Sequence, residues 1–334
     1  MLLDNIYGID MGTETVKIYE RKKDRFITEK NRIAIRGTDE IFAVGNEAFD
    51  MTGRTPEGMR VVSPMTGGRI DDLYLMEAVL YIILRTDTAF SGLKPTIYLS
   101  IPTELTEIGR RSYYTIARQG RLRKSRVYLV EKPIADAMAI GIPIHHTNGA
   151  MIVNIGADST EASVLADQRV IMSRVYPVGG YQLDDGIRSA VRRVNNLAVS
   201  KRTAEDLKVE LTHLTFDMKE EKRVRGVDGT SGLPAEAVIT SATVKASVSR
   251  DMNILIGYLS QFIQRIPPQV LENIRSEGIY ITGGSSRMKG LRQFLSERLD
   301  MKINVSDYYD LSIAAGLKHL IDKPELRHWA VSAK

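Results

Sequence analysis

Residues 9–15 read Ile-Asp-Met-Gly-Thr-Glu-Thr, and residues 153–161 read Val-Asn-Ile-Gly-Ala-Asp-Ser-Thr-Glu. Both stretches run from an apolar strand through an aspartate or asparagine, a glycine and hydroxyl residues, and a second apolar strand follows each. A glycine-bearing turn between two strands can point successive backbone N–H groups at an anion. Because the stretches stand nearly half a chain length apart, they predict two similar lobes that hold the phosphates of a nucleoside triphosphate from both sides.

The side chains of the two turns add to this prediction. Gly12 permits close approach of a phosphate, and the hydroxyls of Thr13 and Thr15 can donate hydrogen bonds. Asp10 is placed to hold a magnesium ion through water, since magnesium keeps much of its hydration shell. Each turn alone is also explained by an ordinary hairpin, and the repetition favours phosphate binding.

Two further motifs carry weaker signals. A strand at Ile279–Ile281 runs into Gly283-Gly284 before a helix, which lets backbone approach a flat ligand or a phosphate closely. Glu205 and Lys208 lie three residues apart and would share one face of a helix. A surface ion pair between them explains this spacing equally well.

Composition bounds the class of protein. The 334 residues suffice for two domains, and 43% hydrophobic with 26% charged residues is typical of a soluble globular chain. The absence of cysteine excludes disulfides, zinc–thiolate sites and thiol nucleophiles. No run approaches the roughly 20 apolar residues of a membrane span, and the first residues show no basic leader. A cytoplasmic protein is therefore expected.

Hydrophobic periodicity and cap residues predict the main elements. A long helix over Val244–Ile266 carries an apolar stripe that is typical of a buried face. The other predicted helices are Leu73–Arg85, Glu104–Gln119 with Thr103 as its cap, Ile134–Ile140 opened by Pro133, Thr203–Leu211 and Leu291–Leu299.

These motifs, in this order, resemble the superfamily of actin, sugar kinases and DnaK-type chaperones. Over nearly the whole chain the sequence is similar to the bacterial actin MreB, or rod shape-determining, family. Phe42-Ala-Val-Gly-Asn-Glu-Ala48, Val130-Glu-Lys-Pro133 and Arg202-Thr-Ala-Glu205 carry the likeness besides the turns. The resemblance implies an α/β, actin-like ATPase fold, with two lobes around a cleft that binds ATP and Mg²⁺.

The resemblance also implies that each lobe has a large and a small subdomain. The first lobe would have its large subdomain at 1–31, 75–145 and 312–334 and its small subdomain at 32–74. The second lobe would have its large subdomain at 146–179 and 245–311 and its small subdomain at 180–244.

Site residues follow from the same resemblance. The phosphates would be held by Gly12, Thr13, Glu14, Thr15, Gly156, Ala157, Asp158 and Ser159. The nucleoside would meet Glu205, Lys208, Gly283, Gly284, Ser285, Ser286 and Arg287. The candidate catalytic residues are Asp10, which would also hold the metal through water, Glu131, Lys132 and Asn154.

The chain departs from the family pattern at hydrolysis and metal positions. The family has aspartate where this chain has Asn154, glycine at Asp158, glutamate at Lys132 and asparagine at Thr15. We expect slow or absent ATP hydrolysis, because Asn154 offers magnesium only a neutral oxygen and a protonated lysine cannot act as a general base. Alternatively, Asp158 supplies the carboxylate that the family has at the position of Asn154.

Family members form paired protofilaments on the inner face of the plasma membrane and guide wall synthesis. Self-association and wall-synthesis or membrane-anchored adaptor proteins are the partners this implies. Phe90 and Leu93 would insert into the membrane, and the basic stretch 110–126 favours lipid or filament contact over nucleic acid. The alternatives are a plasmid- or organelle-positioning filament, or a sugar or small-molecule kinase.

Overall fold

The computed structural model describes residues 5–38, 40–88 and 94–332, which divide into two compact units. Unit 1 consists of Met1–Thr147, Leu165–Ser173 and Leu311–Lys334, and unit 2 consists of Asn148–Val164 and Arg174–Asp310. Both ends of the chain therefore belong to one unit, and most of the middle forms the other. The finer division into four subdomains stays a prediction.

The described residues form nineteen strands and ten α-helices. The strands are β1 (Ile6–Met11), β2 (Thr15–Glu20), β3 (Arg25–Lys30), β4 (Ile33–Arg36), β5 (Glu40–Val44), β6 (Met59–Val62), β7 (Met65–Thr66), β8 (Arg69–Ile70), β9 (Thr96–Ile101), β10 (Arg126–Glu131), β11 (Ala150–Ile155), β12 (Thr160–Ala166), β13 (Arg169–Tyr176), β14 (Leu197–Ala198), β15 (Glu221–Asp228), β16 (Pro234–Thr240), β17 (Ile279–Thr282), β18 (Ile303–Val305) and β19 (Val331–Ser332). The helices are α1 (Asn46–Asp50), α2 (Leu73–Asp87), α3 (Glu107–Ile116), α4 (Lys132–Ala139), α5 (Gly180–Asn195), α6 (Lys201–Leu211), α7 (Ser241–Ile263), α8 (Pro268–Glu277), α9 (Leu291–Leu299) and α10 (Ser312–Asp322).

The two larger sheets share one strand order. The first runs β19-β10-β9-β1-β2-β3 and the second runs β13-β12-β11-β17-β18. In each, the strand before the glycine turn lies between the strand that follows the turn and a parallel strand from later in the chain. This common topology confirms the two similar halves that the repeated motif predicts.

Helices α4 and α10 pack against the first sheet at unusually close range. A Cβ added to Gly8 of β1 would lie 2.8 Å from the Cβ of Leu317. One added to Gly316 of α10 would lie 1.8 Å from the carbonyl oxygen of Ala135 in α4. Only glycine fits this helix crossing. This crossing sets the position of α4 against the sheet. Lys132, the first residue of α4, thereby lies next to the glycine turn between β1 and β2.

Several predicted helix boundaries are wrong, and in three helices a local cap decides where the helix begins. Helix α3 begins at Glu107, since Thr106 and not Thr103 accepts the hydrogen bond from a backbone amide in the first turn. The long helix α7 begins three residues early because the Thr240 hydroxyl caps it, and it ends before Pro267 at Ile263. Helix α6 begins at Lys201 because Ser200 caps it.

Hydrophobic periodicity correctly predicts the buried face of the long helix α7. The stripe on α7 is buried as predicted, at Val248, Met252, Leu255, Leu259 and Phe262. None of the helices within 5–38, 40–88 and 94–332 is long and apolar enough to span a membrane.

Candidate nucleotide site

The first glycine turn joins β1 to β2 in unit 1. The backbone N–H of Gly12 donates to the carbonyl of Thr15 at 2.9 Å, which closes the turn. The buried Asn31 side chain donates to the Gly12 carbonyl, also at 2.9 Å. A Cβ on Gly12 would lie only 2.9 Å from the Thr15 carbonyl oxygen, so the turn has no space for a larger residue.

Two basic residues at and just after the end of β3 contact this turn from the side. The Glu14 carboxylate lies 2.5 Å from the Lys30 ammonium and 2.6 Å from the Arg32 guanidinium. Arg32 also donates to the Thr13 carbonyl at 3.1 Å. The carboxylate of Glu14 is therefore held by the protein, so any contact of Glu14 with a phosphate would come from its backbone N–H.

Asp10 is buried at the end of β1 among two lysines and a serine. Its carboxylate lies 3.3 Å from the Lys132 ammonium and 3.8 Å from that of Lys17, and it accepts a 2.7 Å hydrogen bond from Ser100. Burial alone would raise the pKa of the Asp10 carboxyl. The two lysine charges and the Ser100 hydrogen bond outweigh burial, so the pKa lies below its ordinary value.

Glu131 and Lys132 are neighbours whose side chains serve different partners. Glu131 is the N-cap of α4, and its carboxylate lies 3.4 Å from the Arg110 guanidinium. Lys132 begins the helix, and its ammonium meets Asp10 and lies 3.5 Å from the Met11 carbonyl. The structure therefore brings Lys132 to the first turn and directs the carboxylate of Glu131 to α3.

The residues around Asp10 do not fit the magnesium ion that the sequence predicts there. Magnesium prefers an octahedral shell with charged oxygen ligands. Asp10 is the carboxylate of this cluster, and its two oxygens face two ammonium groups and a hydroxyl. No group of three or more His, Cys, Asp or Glu side chains that could hold a metal occurs in the part of the chain that the structure describes.

The second glycine turn, in unit 2, reproduces the backbone of the first. The N–H of Gly156 donates to the Ser159 carbonyl at 3.0 Å, as Gly12 does to Thr15. The amides of Gly180 and Tyr181, in the first turn of α5, donate to the carbonyls of Gly156 and Ala157 at 3.0 and 2.7 Å. The second turn, which also contains Asp158, is thereby joined to the N-terminus of a helix.

The third motif packs directly on the second turn. Gly283 has φ +88°, and a Cβ there would lie 2.4 Å from the carbonyl oxygen of Ile155, so the position requires glycine. The Ser285 hydroxyl donates to the Gly156 carbonyl at 3.4 Å. Asn154, at the end of β11, donates its side-chain amide to the Thr282 hydroxyl at 2.9 Å. The two motifs form one continuous site within unit 2.

Lys208 completes this cluster from α6. Its ammonium lies 2.7 Å from Asp184 and donates to the Gly180 carbonyl at 3.2 Å. Its ion-pair partner is therefore Asp184, and the pair with Glu205 that the spacing allowed is not formed. Burial raises the pKa of Asp184 to about 6, although the charge and hydrogen bond of Lys208 act in the opposite direction.

Gly180 marks the point where three predicted motifs of unit 2 converge. A Cβ at Gly180 would lie 3.4 Å from the Lys208 ammonium and 3.6 Å from both the Ala157 carbonyl and the Ser285 hydroxyl. These are ordinary van der Waals distances, so the second turn, Lys208 and Ser285 meet at the start of α5.

Arg287 turns to the other side of the third motif. Its guanidinium stacks 4.4 Å from the centre of the Tyr309 ring and lies 2.7 Å from the Asp310 carboxylate. Arg287, Ser286 and Tyr309 line a cavity of about 540 Å³ that extends to α9. The side chain of Arg287 is therefore held by Tyr309 and Asp310.

Sequence reasoning missed several residues of both clusters. Lys17 and Ser100 lie outside any glycine motif, and only folding brings them to Asp10. The pair Gly179-Gly180 at the start of α5 is a sequence pattern that could have indicated this part of the site. Asp184 gave none, since acidic residues on a helix usually face solvent. Phe90 and Leu93, the predicted membrane contacts, lie outside the described residues.

Comparison with known proteins identifies the family. The model of the family described as MreB/Mbl protein matches residues 4–328. The chain belongs to the MreB/Mbl family. This finding confirms the resemblance seen in the sequence.

Its MreB/Mbl relatives are similar over almost their whole length. The cell shape-determining protein Mbl of Bacillus subtilis (strain 168) is 29% identical over 318 residues, which cover 94% of this chain and 95% of the relative. The cell shape-determining protein MreB of Escherichia coli (strain K12) is 27% identical over 314 residues, which cover 92% and 90%.

Solved structures share the fold. MreB5 of Spiroplasma citri bound to AMPPNP superposes with a TM-score of 0.89 at 23% identity, covering 97% of both chains. A MamK double helical filament gives 0.78 at 15% identity, covering 95% of this chain and 98% of that one. The predicted actin-like α/β fold is therefore confirmed.

Proposed function

We propose that this protein binds ATP through its two glycine turns and polymerises into paired actin-like protofilaments. The observation that carries the proposal is the MreB/Mbl match over residues 4–328, on a chain that forms the same hydrogen-bonded glycine turn in both halves. The fold likeness to AMPPNP- and ADP-bound MreB5 and to the MamK filament gives further support.

The nucleotide contacts of this proposal come from the two clusters. Residues 12–15 and 156–159 would hold the phosphates, and Glu205, Lys208 and residues 283–287 would meet the nucleoside. Magnesium stays a prediction, and Asp10 is not proposed to hold it, because that carboxylate faces Lys17 and Lys132.

The cellular role proposed is cell-shape determination, in which cytoplasmic filaments at the inner membrane organise wall synthesis with membrane-anchored adaptors. The names of the Mbl and MreB relatives support it. A positioning filament for a plasmid or organelle uses the same fold and differs in its adaptor. Family membership favours either filament over a kinase.

Hydrolysis is proposed to be slow or absent. A general base must accept a proton from water near the phosphates. Asp10 is held as the counter-ion of two lysines with a lowered pKa, and such a carboxylate is a weak base. Lys132 is the partner of Asp10, and the Glu131 carboxylate faces Arg110.

Electron microscopy after addition of ATP tests the filament. We expect double filaments with ATP and none without nucleotide. Dispersed protein at high concentration with ATP, in a sample that still binds ATP by calorimetry, would refute polymerisation and leave nucleotide binding standing. Binding of neither ATP nor ADP would refute the proposal as a whole.

A further inference from the structure

The carbonyl oxygens of the first glycine turn are held by two adjacent residues that lie outside the predicted motifs. The side-chain amide of Asn31 donates to the Gly12 carbonyl at 2.9 Å, and its backbone N–H donates to the Glu14 carbonyl at 2.8 Å. The Arg32 guanidinium donates to the Thr13 carbonyl at 3.1 Å. Three successive carbonyls of the turn therefore accept hydrogen bonds from Asn31 or Arg32.

These contacts decide which way the amide groups of the turn point. A trans peptide is planar, and its C=O and the N–H of the next residue point in opposite directions. Because Asn31 and Arg32 hold the carbonyls of residues 12–14 on their own side, the N–H groups of residues 13–15 are directed to the opposite side. Successive N–H groups with a common direction form a concavity that binds anions.

Both residues are themselves held in place by the protein. Asn31 is fully buried, and the Arg32 side chain is 17% exposed. The Arg32 guanidinium lies 2.6 Å from the Glu14 carboxylate and donates to the Asn31 carbonyl at 2.9 Å. Donors that are already fixed when a ligand arrives increase affinity, because less ordering is needed on binding. Asn31 and Arg32 thus preorganise the turn.

The second turn holds the matching carbonyls by a different means. Gly156, which corresponds to Gly12 by the hydrogen bond that closes each turn, accepts from the Gly180 amide at 3.0 Å. The next carbonyl, that of Ala157, accepts from the Tyr181 amide at 2.7 Å. Both donors are backbone groups of α5, which only a proline would remove. In the first turn the matching donors are side chains, so the orientation of that turn depends on residue identity.

We propose that Asn31 and Arg32 are positioning residues for phosphate binding, which aim the amides of residues 13–15 at the phosphates of the nucleotide. This inference rests on the proposed nucleotide binding and deepens it. Its support is that the two turns hold corresponding carbonyls with unrelated donors, side chains in unit 1 and helix amides in unit 2.

Calorimetric titration of ATP into the full chain, with magnesium chloride present, tests this role. Arg32→Met removes the donors of the side chain, so we expect the affinity for ATP to fall about tenfold or more. Arg32→Lys restores a charged donor and should bind within about threefold of the natural protein. Arg54→Met, at an exposed arginine of the same unit, is the matched control and should bind as the natural protein does.

Two further variants separate the role from packing and from charge. Asn31→Leu keeps a side chain of similar size without a donor, and its affinity should also fall about tenfold or more. Arg32→Met leaves the Glu14 carboxylate with one basic partner fewer, and that charge could itself repel phosphates. Adding Glu14→Gln to Arg32→Met removes the charge, and the loss of affinity should persist. Melting without nucleotide shows which variants are folded, and the Arg32 series decides the question if Asn31→Leu unfolds.

The outcomes separate this inference from the proposed function. Equal ATP affinity of Arg32→Met, Asn31→Leu and the natural protein overturns the inference and leaves ATP binding intact. An equal loss in Arg32→Lys and Arg32→Met, or full recovery on adding Glu14→Gln, also overturns it. Absence of ATP binding by the natural protein overturns the inference and the proposed function together.

Discussion

At the scale of single residues, the two halves repeat their backbone and differ in charge. Asp10 and Asn154 each stand next to last in the strand before a glycine turn. One is a buried carboxylate between two lysines, and the other is a neutral amide that donates to Thr282. Binding of an anion requires the backbone of the turn, whereas hydrolysis requires particular side chains. This chain keeps the hydrogen-bonded backbone of both turns and differs from the family pattern in the side chains at the hydrolysis positions.

Gly12→Val should abolish ATP binding. A valine Cβ would lie 2.9 Å from the Thr15 carbonyl, so the turn must open and its amides lose their common direction. The measurement is the shift in melting temperature on adding ATP, which should disappear. Gly257→Val, at an exposed helical glycine with nothing within 4 Å of an added Cβ, is the control and should keep the shift. An equal shift in both variants would contradict phosphate binding at the first turn.

Asn154→Asp combined with Asp158→Gly should raise phosphate release well above that of the natural protein. The double change restores the charged ligand and the glycine of the family pattern. Phosphate release with ATP, followed over time, is the measurement. If Asp158 instead replaces the missing carboxylate, Asp158→Gly alone should abolish a substantial natural activity. Brisk release by the natural protein would contradict slow hydrolysis.

Asp184 should make stability depend on pH. Its pKa is raised from 3.8 to about 6, so the folded state binds the proton more tightly than the unfolded state does. Protonation therefore stabilises the fold at low pH, and this stabilisation is lost as pH rises through about 6. Between pH 5 and 7 this costs about 1 kcal/mol of unfolding free energy. Urea unfolding at both pH values should show that loss reduced in Asp184→Asn. An identical pH dependence in the variant would rule out Asp184 as its source.

At the scale of elements, sequence patterns predicted the long helix α7 and the strands beside both glycine turns, but they missed α5, which is 16 residues long. The stripe on α7 and the strands beside both turns follow from local periodicity. The starts of α3, α6 and α7 depend on which of several nearby hydroxyls caps the helix, and periodicity does not distinguish between them. Lys17 and Asp184 could not be assigned, since their partners Asp10 and Lys208 come from other elements.

The segment containing Phe90 and Leu93 gives a prediction at this scale, although it lies outside the described residues. Changing both residues to serine should release filaments from anionic liposomes in a sedimentation assay, because the apolar insertion is lost. The matched control changes Phe216 and Leu233, both exposed apolar residues of unit 2, to serine.

Unchanged sedimentation of the Phe90 and Leu93 variant would contradict insertion. Release by salt alone would assign attachment to the basic stretch 110–126, because exposed charge contacts are screened beyond about 10 Å at 0.1 M ionic strength. Arg111, Arg123 and Lys124 are among the exposed residues of that stretch.

At the scale of the whole molecule, the repeated turn predicted the repeated topology of the two large sheets. The turn alone does not predict that α10, near the end of the chain, belongs to unit 1. Only the family resemblance did so, because it assigned residues 312–334 to the first lobe. Patterns within one segment carry no information about which distant segment will cover it. Gly8 and Gly316 indicate only that another segment packs closely against them, and not which segment it is.

Deletion of residues 311–334 should unfold unit 1. Leu317, Leu320 and Ile321 of α10 are fully buried, and each contributes about 1.5–3 kcal/mol, a sum comparable to the stability of a typical domain. Circular dichroism and trypsin digestion should show the loss. Deletion of residues 331–334 removes the exposed β19 and should leave melting nearly unchanged. A cooperative, native-like melt of the longer deletion would contradict the role of α10.

Because unit 1 is assembled from both ends of the chain, its two parts leave the ribosome at different times. Strand β10 ends at Glu131 and α10 begins only at Ser312. At roughly 5–20 residues per second, the N-terminal part waits about 10–40 s for the helix that covers it. Unit 2 is synthesised during this interval and can fold first. Throughout this interval the apolar surfaces of β1 and α4 stay uncovered, so the nascent chain exposes binding sites for chaperones until α10 is made.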